Sequence, residues 1–281
     1  MLHIQTAVVN NPTFIELQHR TLKHFMKGDY TFTVFNDAKQ FPDFSNFGNT
    51  AVHGEIRRMC ERLNIPCVDI SNPGHAWNQC PANRCADAMN RMLEYQRANP
   101  AKYLCIDSDM FLIDQLSATA FDDWDTVIIP QDRSNDSGKS VKYFWNGIYY
   151  FNTQTMSNQD LLSWRNNDVE GVWTDVGGAM HYWLREATAN AAAAGSQNRV
   201  KEMPHLWSGQ WSFDEFPATL DARWLSFFMT DPRNKDGKFY SELYDGKFLH
   251  YRAGGNWEKR SPEEYNTCVK SLEDTIYSIC K

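Results

Sequence analysis

The chain begins with apolar positions that first alternate and then run together. His3 to Asn10 reads as a buried strand, broken at Asn11-Pro12-Thr13, where Thr13 can cap a helix. Phe14, Leu17, Leu22 and Phe25 then follow roughly helical spacing up to Gly28. Tyr30-Thr31-Phe32-Thr33-Val34-Phe35 is β-branched and aromatic, as a second strand would be. Strand, helix, strand predicts a parallel βαβ unit. Phe41 to Gly48 reads as a loop, Thr50 to Asn64 as a helix and Pro66 to Ile70 as a short strand. Asn72-Pro73-Gly74 marks a turn. Ala82 to Asn99 is rich in Ala, Met, Leu, Arg and Glu, which predicts a helix that stops before Pro100.

The stretch that organises the rest comes next. Tyr103-Leu104-Cys105-Ile106 has the length of a buried strand, runs into Asp107-Ser108-Asp109, and is followed at once by apolar Met110 to Ile113. The two carboxylates therefore fall where a strand leaves its sheet, the edge at which open α/β sheets bind ligands. Two carboxylates there can hold a hard divalent cation, and the cation can hold a phosphate. The spacing alone is weak, since 22 aspartates in 281 residues give roughly one or two such matches by chance. A second match, Asp123-Trp124-Asp125, precedes the strand-like Thr126 to Pro130 and so lies at a strand entrance, where it reads as a solvated turn.

Gln131 to Lys142 is polar and aperiodic and reads as a mobile loop. Tyr143 to Asn152 is an aromatic strand interrupted by Asn146-Gly147, and glycine inside a strand often marks close approach of a ligand or backbone. Leu161 to Asn166 reads as helical, and Asp175-Val176-Gly177-Gly178-Ala179-Met180 as the opening of a helix to about Ala194. Such a helix start can receive an oxygen-rich ligand or be a plain cap. Aromatics crowd the chain from His205 to Phe228; most read as core, some as platforms for sugar stacking. Phe248-Leu249-His250-Tyr251-Arg252-Ala253-Gly254-Gly255-Asn256-Trp257 runs from a short strand into a glycine turn, and Ser261-Pro262-Glu263-Glu264 caps a terminal helix.

Composition narrows the partners. The length suits one large α/β domain or two tightly joined halves. A net charge of −7 argues against broad contact with nucleic acid or an anionic membrane, which need basic patches. No apolar stretch approaches the roughly 20 residues of an integral membrane segment. The N-terminus lacks a basic region and a long apolar run. Seven scattered cysteines, with Cys80 and Cys85 the one close pair, make neither a disulfide framework nor a zinc site. Reduced thiols and a cytoplasmic location are the expectation.

Taken together, the strand–D-x-D–strand segment and the late histidine before a Gly-rich, Trp-ended turn resemble a GT-A fold glycosyltransferase. The order of the pieces is most similar to the glycogenin-like and bacterial galactosyltransferase-like retaining enzymes. The resemblance implies an α/β fold, a Rossmann-like mixed sheet flanked by helices. It implies a single domain over residues 1–281, with a nucleotide-sugar-binding half at 1–115 and an acceptor-side half at 116–281. The implied activity moves a sugar from a nucleotide donor, UDP-sugar above all, to a hydroxyl of a carbohydrate or glycoconjugate. Asp109 and Asp107 would bind Mn²⁺ or Mg²⁺, Asp107 also the donor ribose, and His250 would be the third ligand. Arg84 would contact the donor, and Arg252 or the Gly254 and Gly255 amides the pyrophosphate. Asn146 matches the Asn-Gly strand and Asp175 the acidic residue near donor sugar and acceptor. The family's acidic pair appears here as Asp175-Val176-Gly177, and its Gly-x-x-Lys-Pro-Trp ending appears without the lysine. An inverting reaction would need a carboxylate base, for which Asp175 and Asp214 both qualify.

Three other classes compete, one of them a nucleotidyltransferase, which would want a Gly-rich signature after the first strand where Asn10-Asn11-Pro12 stands. A HAD-like phosphatase also ends a strand in D-x-D, but normally near the N-terminus. A non-catalytic carbohydrate-binding protein would explain the aromatics, yet gives no reason for Asp107, Asp109 and His250 together.

Overall fold

In the computed structural model, which describes residues 1–43, 48–70, 80–189, 198–254 and 261–281, the first apolar run is strand β1 (Leu2–Val8). Helix α1 (Pro12–Phe25) is capped by Asn11 rather than Thr13: the Asn11 side chain accepts the Thr13 N–H at 3.1 Å. Pro12 takes the first helical position, where no N–H is needed. Then come β2 (Tyr30–Asn36), α2 (Val52–Leu63), β3 (Cys67–Asp69), α3 (Pro81–Ala98) and β4 (Lys102–Ile106). The Asn72-Pro73-Gly74 turn lies outside the described residues. Beyond the aspartates the chain continues as β5 (Met110–Leu112), β6 (Thr126–Ile128), β7 (Ile148–Asn152), α4 (Met180–Ala189) and β8 (Val200–Glu202). It ends with β9 (His205–Leu206), α5 (Ala222–Thr230), β10 (Glu242–Tyr244), β11 (Phe248–His250) and α6 (Pro262–Ile279).

Among the described residues, seven strands form one mixed sheet in the order β8-β6-β7-β4-β1-β2-β3. The pairs β1/β2, β1/β4 and β2/β3 are parallel, and β7 alone runs against its neighbours β4 and β6. This is the mixed, helix-flanked sheet expected of an α/β fold. Successive residues of the central strands enter opposite cores. Leu104, Ile106, Ile148 and Tyr150 pack with α1 residues Phe14 and Leu17, whereas Cys105, Tyr149 and Phe151 pack with Met89 of α3 and Trp164. Burial on both faces is what near-continuous apolar strands require. A second, four-stranded sheet, β9-β10-β11-β5, is antiparallel. The chain thus leaves one sheet at Ile106 and enters the other at Met110, with the two aspartates in between.

Four local expectations are corrected. Gln131 to Lys142 is not a loop but most of a hairpin, Pro130–Ser134 against Ser140–Phe144. Its strands are polar because one face is exposed, and the Asn135 side chain closes its turn by accepting the Ser137 and Lys139 N–H groups. Tyr143 to Asn152 is split between that hairpin and β7, so Asn146-Gly147 is a crossing between sheets. Leu161 to Asn166 holds only the end of a 3-10 turn, Gln159–Leu161. Asp125 is not solvated: it is buried and holds the Arg199 side chain and backbone N–H and the Thr155 hydroxyl. Helix α4 begins at Met180, after a turn from Asp175, and its continuation toward Ala194 lies outside the described residues. The Ser261 cap is present as expected, with reciprocal bonds to Glu264.

Candidate active site

The Asp107-Ser108-Asp109 turn is held from three sides. The Asp107 N–H donates to the Gly147 carbonyl at 2.7 Å, tying the turn to the crossing before β7. The Met110 N–H donates back to the Asp107 carbonyl at 3.1 Å. From α1, the fully buried Gln18 side chain donates to the carbonyls of Asp107 and Met110 at 2.8 and 3.0 Å. A buried glutamine among apolar helix positions is explained by this clamp, because backbone carbonyls at a strand exit would otherwise lie buried and unpaired.

Strand β11 brings His250 to the same place. Pairing of β11 with β5 sets His250 opposite Met110, and its Nε2 lies 3.2 Å from Asp109 Oδ1. The other oxygen of Asp109 accepts the Gly254 N–H at 2.8 Å, and the Tyr251 N–H donates to the Asp109 carbonyl. A Cβ on Gly254 would meet the Asp109 Cβ and the Phe14 ring, each at 2.8 Å. Glycine is therefore required there by close approach.

Coordinating atoms of Asp107, Asp109 and His250 all lie within 4.8 Å of one another. Ligands sit about 2–2.5 Å from a bound cation and hence up to about 4–5 Å apart, so this trio can share one ion. Two carboxylates with one imidazole suit Mn²⁺, with Mg²⁺ a harder alternative.

The electrostatics are those of a site built for positive charge. Burial, together with the neighbouring Asp109 carboxylate, pushes Asp107 up to about 6. Burial also opposes ionisation of Asp109, but His250 and the Gly254 N–H outweigh it and hold Asp109 below the usual carboxylate range. Burial works against a charged His250, yet Asp109 and a second carboxylate, Glu242, lift it to about 10.

The other residues singled out from sequence gather around this centre to different degrees. Arg252 is exposed and lies with Nε 3.9 Å from Glu242 Oε1. Its carbonyl accepts from Arg233, whose guanidinium is buried against Asp231 and lies 3.9 Å over the Tyr251 ring, anchoring the segment that carries Gly254. Asn146 donates to Cys85 Sγ at 3.5 Å. The Cys85 thiol is raised by burial and, to a lesser degree, by the charges of Asp107, Asp37 and Asp175. Asp175 is exposed at the start of the turn before α4. Gly255 lies outside the described residues, as do Asn256 and Trp257.

Arg84, one residue before Cys85, is turned into the protein. It is buried and ion-paired with buried Asp43 at 2.6 Å. Nearby, burial raises Asp37 to about 6 although Lys39 lies 2.8 Å away. Removing one partner of a buried pair typically costs about 3–5 kcal/mol. Arg84→Ala should therefore lower the urea midpoint without changing the slope; an unchanged midpoint would show that the pair contributes nothing.

Sequence reasoning missed Gln18 and Glu242. Asp245 and Gly246, at φ 51° and 63°, turn β10 into β11, and an Asp-Gly pair between apolar runs is a strong hairpin signal. Following that signal would have put Glu242 opposite His250.

No family model and no curated protein matches the chain. Among solved structures, it is similar to the bifunctional glycosyltransferase WbbM (12% identity, TM-score 0.35, 57% of this chain and 33% of that one). It is also similar to the galactosyltransferase LgtC in complex with donor and acceptor sugar analogues (16%, 0.34, 54% and 58%). A third is the mannosyltransferase PcManGT from Pyrobaculum calidifontis in complex with GDP-Man and Mn²⁺ (14%, 0.40, 72% and 54%). In each case the chain spans less than two thirds of the neighbour's own length. Among the described residues no helix is long and apolar enough to cross a membrane.

Proposed function

We propose that the chain is a metal-dependent glycosyltransferase that moves a sugar from a nucleoside-diphosphate donor, a UDP-sugar by preference, to the hydroxyl of a carbohydrate or glycoconjugate. The observation that carries this reading is the Asp107–Asp109–His250 trio at the carboxyl edge of a mixed α/β sheet. Asp107, Asp109 and His250 would hold Mn²⁺ or Mg²⁺, and the bound cation would neutralise charge on the departing diphosphate.

The chain's own groups do the rest. A cavity of about 590 Å³ of mixed character, whose lining includes Asn10, Asn11, Tyr265, Val52, Val269 and Glu55, opens beyond the carboxyl end of β1. Its size suits a nucleoside. Residues 1–115 would form the nucleotide-sugar-binding half and 116–281 the acceptor side, with His250 and Tyr265 reaching into the donor site from the second half. Arg252 and Gly255, the residue after Gly254 in the chain, would contact the pyrophosphate, while the Gly254 N–H positions Asp109. Asn146 and Asp175 would face donor sugar and acceptor, and Arg84, paired with Asp43, would hold the start of α3 in place.

Thermal shift over a panel of nucleoside diphosphates and nucleotide sugars, with Mn²⁺ or with EDTA, tests the reading. A ligand stabilises by RT ln(1 + [L]/Kd), about 2.7 kcal/mol at a hundredfold excess over Kd. One donor should raise the melting temperature with Mn²⁺ and lose that effect in EDTA. Equal shifts with and without metal would remove the metal from the proposal.

A further inference from the structure

Glu242 is an odd residue for its place. It lies in Glu242–Tyr244, a strand whose three residues are all buried, and a buried carboxylate is costly unless fully partnered. Its partners converge from several elements. Oε2 accepts from the Tyr244 hydroxyl at 2.6 Å and faces His250 Nδ1 at 2.7 Å. Oε1 accepts the Ser208 N–H at 3.2 Å and lies 3.9 Å from Arg252 Nε. The β10/β11 register sets Glu242 directly across from His250. The histidine ring is also walled by Trp145, 5.2 Å away, which itself stacks on Tyr244.

We infer that Glu242 is the positioning residue of the metal site. It binds the Nδ1–H of His250, fixes that tautomer and aims the Nε2 lone pair at the ion shared with Asp107 and Asp109. This rests on the proposed metal site and extends it by one residue that touches neither ion nor substrate. Carboxylates behind metal-bound histidines orient the ring, and losing one typically costs 10–100-fold in metal affinity. Tyr244 and Ser208 serve the same end, since they hold the carboxylate itself.

The test is direct Mn²⁺ binding, read by the loss of the free-ion paramagnetic resonance signal, in wild type, Glu242→Leu, Glu242→Gln, Tyr244→Phe and Asp109→Asn. Glu242→Leu should weaken binding by about 10–100-fold. Glu242→Gln, whose amide oxygen can still accept the Nδ1–H, should recover most of that loss. Tyr244→Phe should show a smaller loss and stands in if Glu242→Leu fails to fold. In ¹⁵N-histidine-labelled protein loaded with Zn²⁺ as a diamagnetic probe, the His250 Nδ1–H correlation should be present in wild type and absent in Glu242→Leu. Wild-type affinity in folded Glu242→Leu or Tyr244→Phe, with the same tautomer, overturns the positioning role while leaving the metal site standing. Failure of wild type to bind Mn²⁺ better than Asp109→Asn overturns the metal site, and the role of Glu242 with it.

Discussion

Replacing Asp109 by asparagine should lower kcat/KM by about 10³-fold, or roughly 4 kcal/mol of transition-state stabilisation. Asparagine keeps the shape of the side chain, and its amide oxygen can still accept the Gly254 N–H, so the segment 251–254 should stay in place. What it loses is the charge that faces both the cation and His250 at 3.2 Å. Losing one charge of this buried pair should also lower the melting temperature, so Mn²⁺-dependent donor binding, expected to collapse, is to be measured per folded molecule at a temperature well below the midpoint. Asp107→Asn should follow the same pattern. Steady-state rates measured across a Mn²⁺ series with the donor found by thermal shift would decide it. A variant within threefold of wild type at every metal concentration would end the assignment of Asp109 as a ligand.

The largest effect on stability is expected from Trp164→Ala. Trp164 is fully buried, and its ring meets Tyr149 at 4.6 Å, Phe144 at 5.6 Å and Phe151 at 6.3 Å between centroids. Its backbone joins two further elements: its N–H donates to Asn90 of α3, and its carbonyl accepts the Gly177 N–H at 3.0 Å. Gly177 has φ 92°, and a Cβ there would lie 2.4 Å from the Phe144 carbonyl. The turn that presents Asp175 is thus wedged between Trp164 and the Phe144 backbone. Truncating a buried tryptophan to alanine costs about 3–5 kcal/mol, and the melting temperature should fall by roughly 10 °C. Surviving folded enzyme should also show a raised KM for the acceptor, because the Asp175 turn loses its support. Trp164→Phe should recover much of the stability. A midpoint within 1 kcal/mol of wild type in the alanine variant, a limit well below the usual cost, would mean that the aromatic cluster repacks around the gap.

Much of the main sheet was legible from periodicity. β1, β2, β4 and the long helix α3 all fall within a few residues of their sequence assignments, since apolar runs buried on both faces leave an unambiguous mark. The carboxylate pair was legible because a strand end is a local feature. Polar edge strands were not. The hairpin from Pro130 to Phe144 has a first strand with no buried residue and a second that alternates only up to Tyr143, and its polar turn hid the pairing. Asp125 looked like a solvated turn because the guanidinium that buries it, Arg199, comes from 74 residues away.

By itself the sequence determined which residues could form strands and helices, and that two carboxylates must leave the sheet together at Asp107 and Asp109. These follow from short-range periodicity, which the chain carries in its own spacing. Only the tertiary structure decided what surrounds the aspartates. It set Gln18 under the turn from α1, Gly254 on Asp109 from across the molecule, Arg84 inward toward Asp43, and Glu242 behind His250 through strand register. Each of those contacts joins residues far apart in the chain or turned by a hairpin. The contacts of Gln18, Gly254 and Arg84 lie outside any one window of sequence, whereas the Glu242–His250 pair is local to its hairpin and reaches the aspartates only through pairing of β11 with β5.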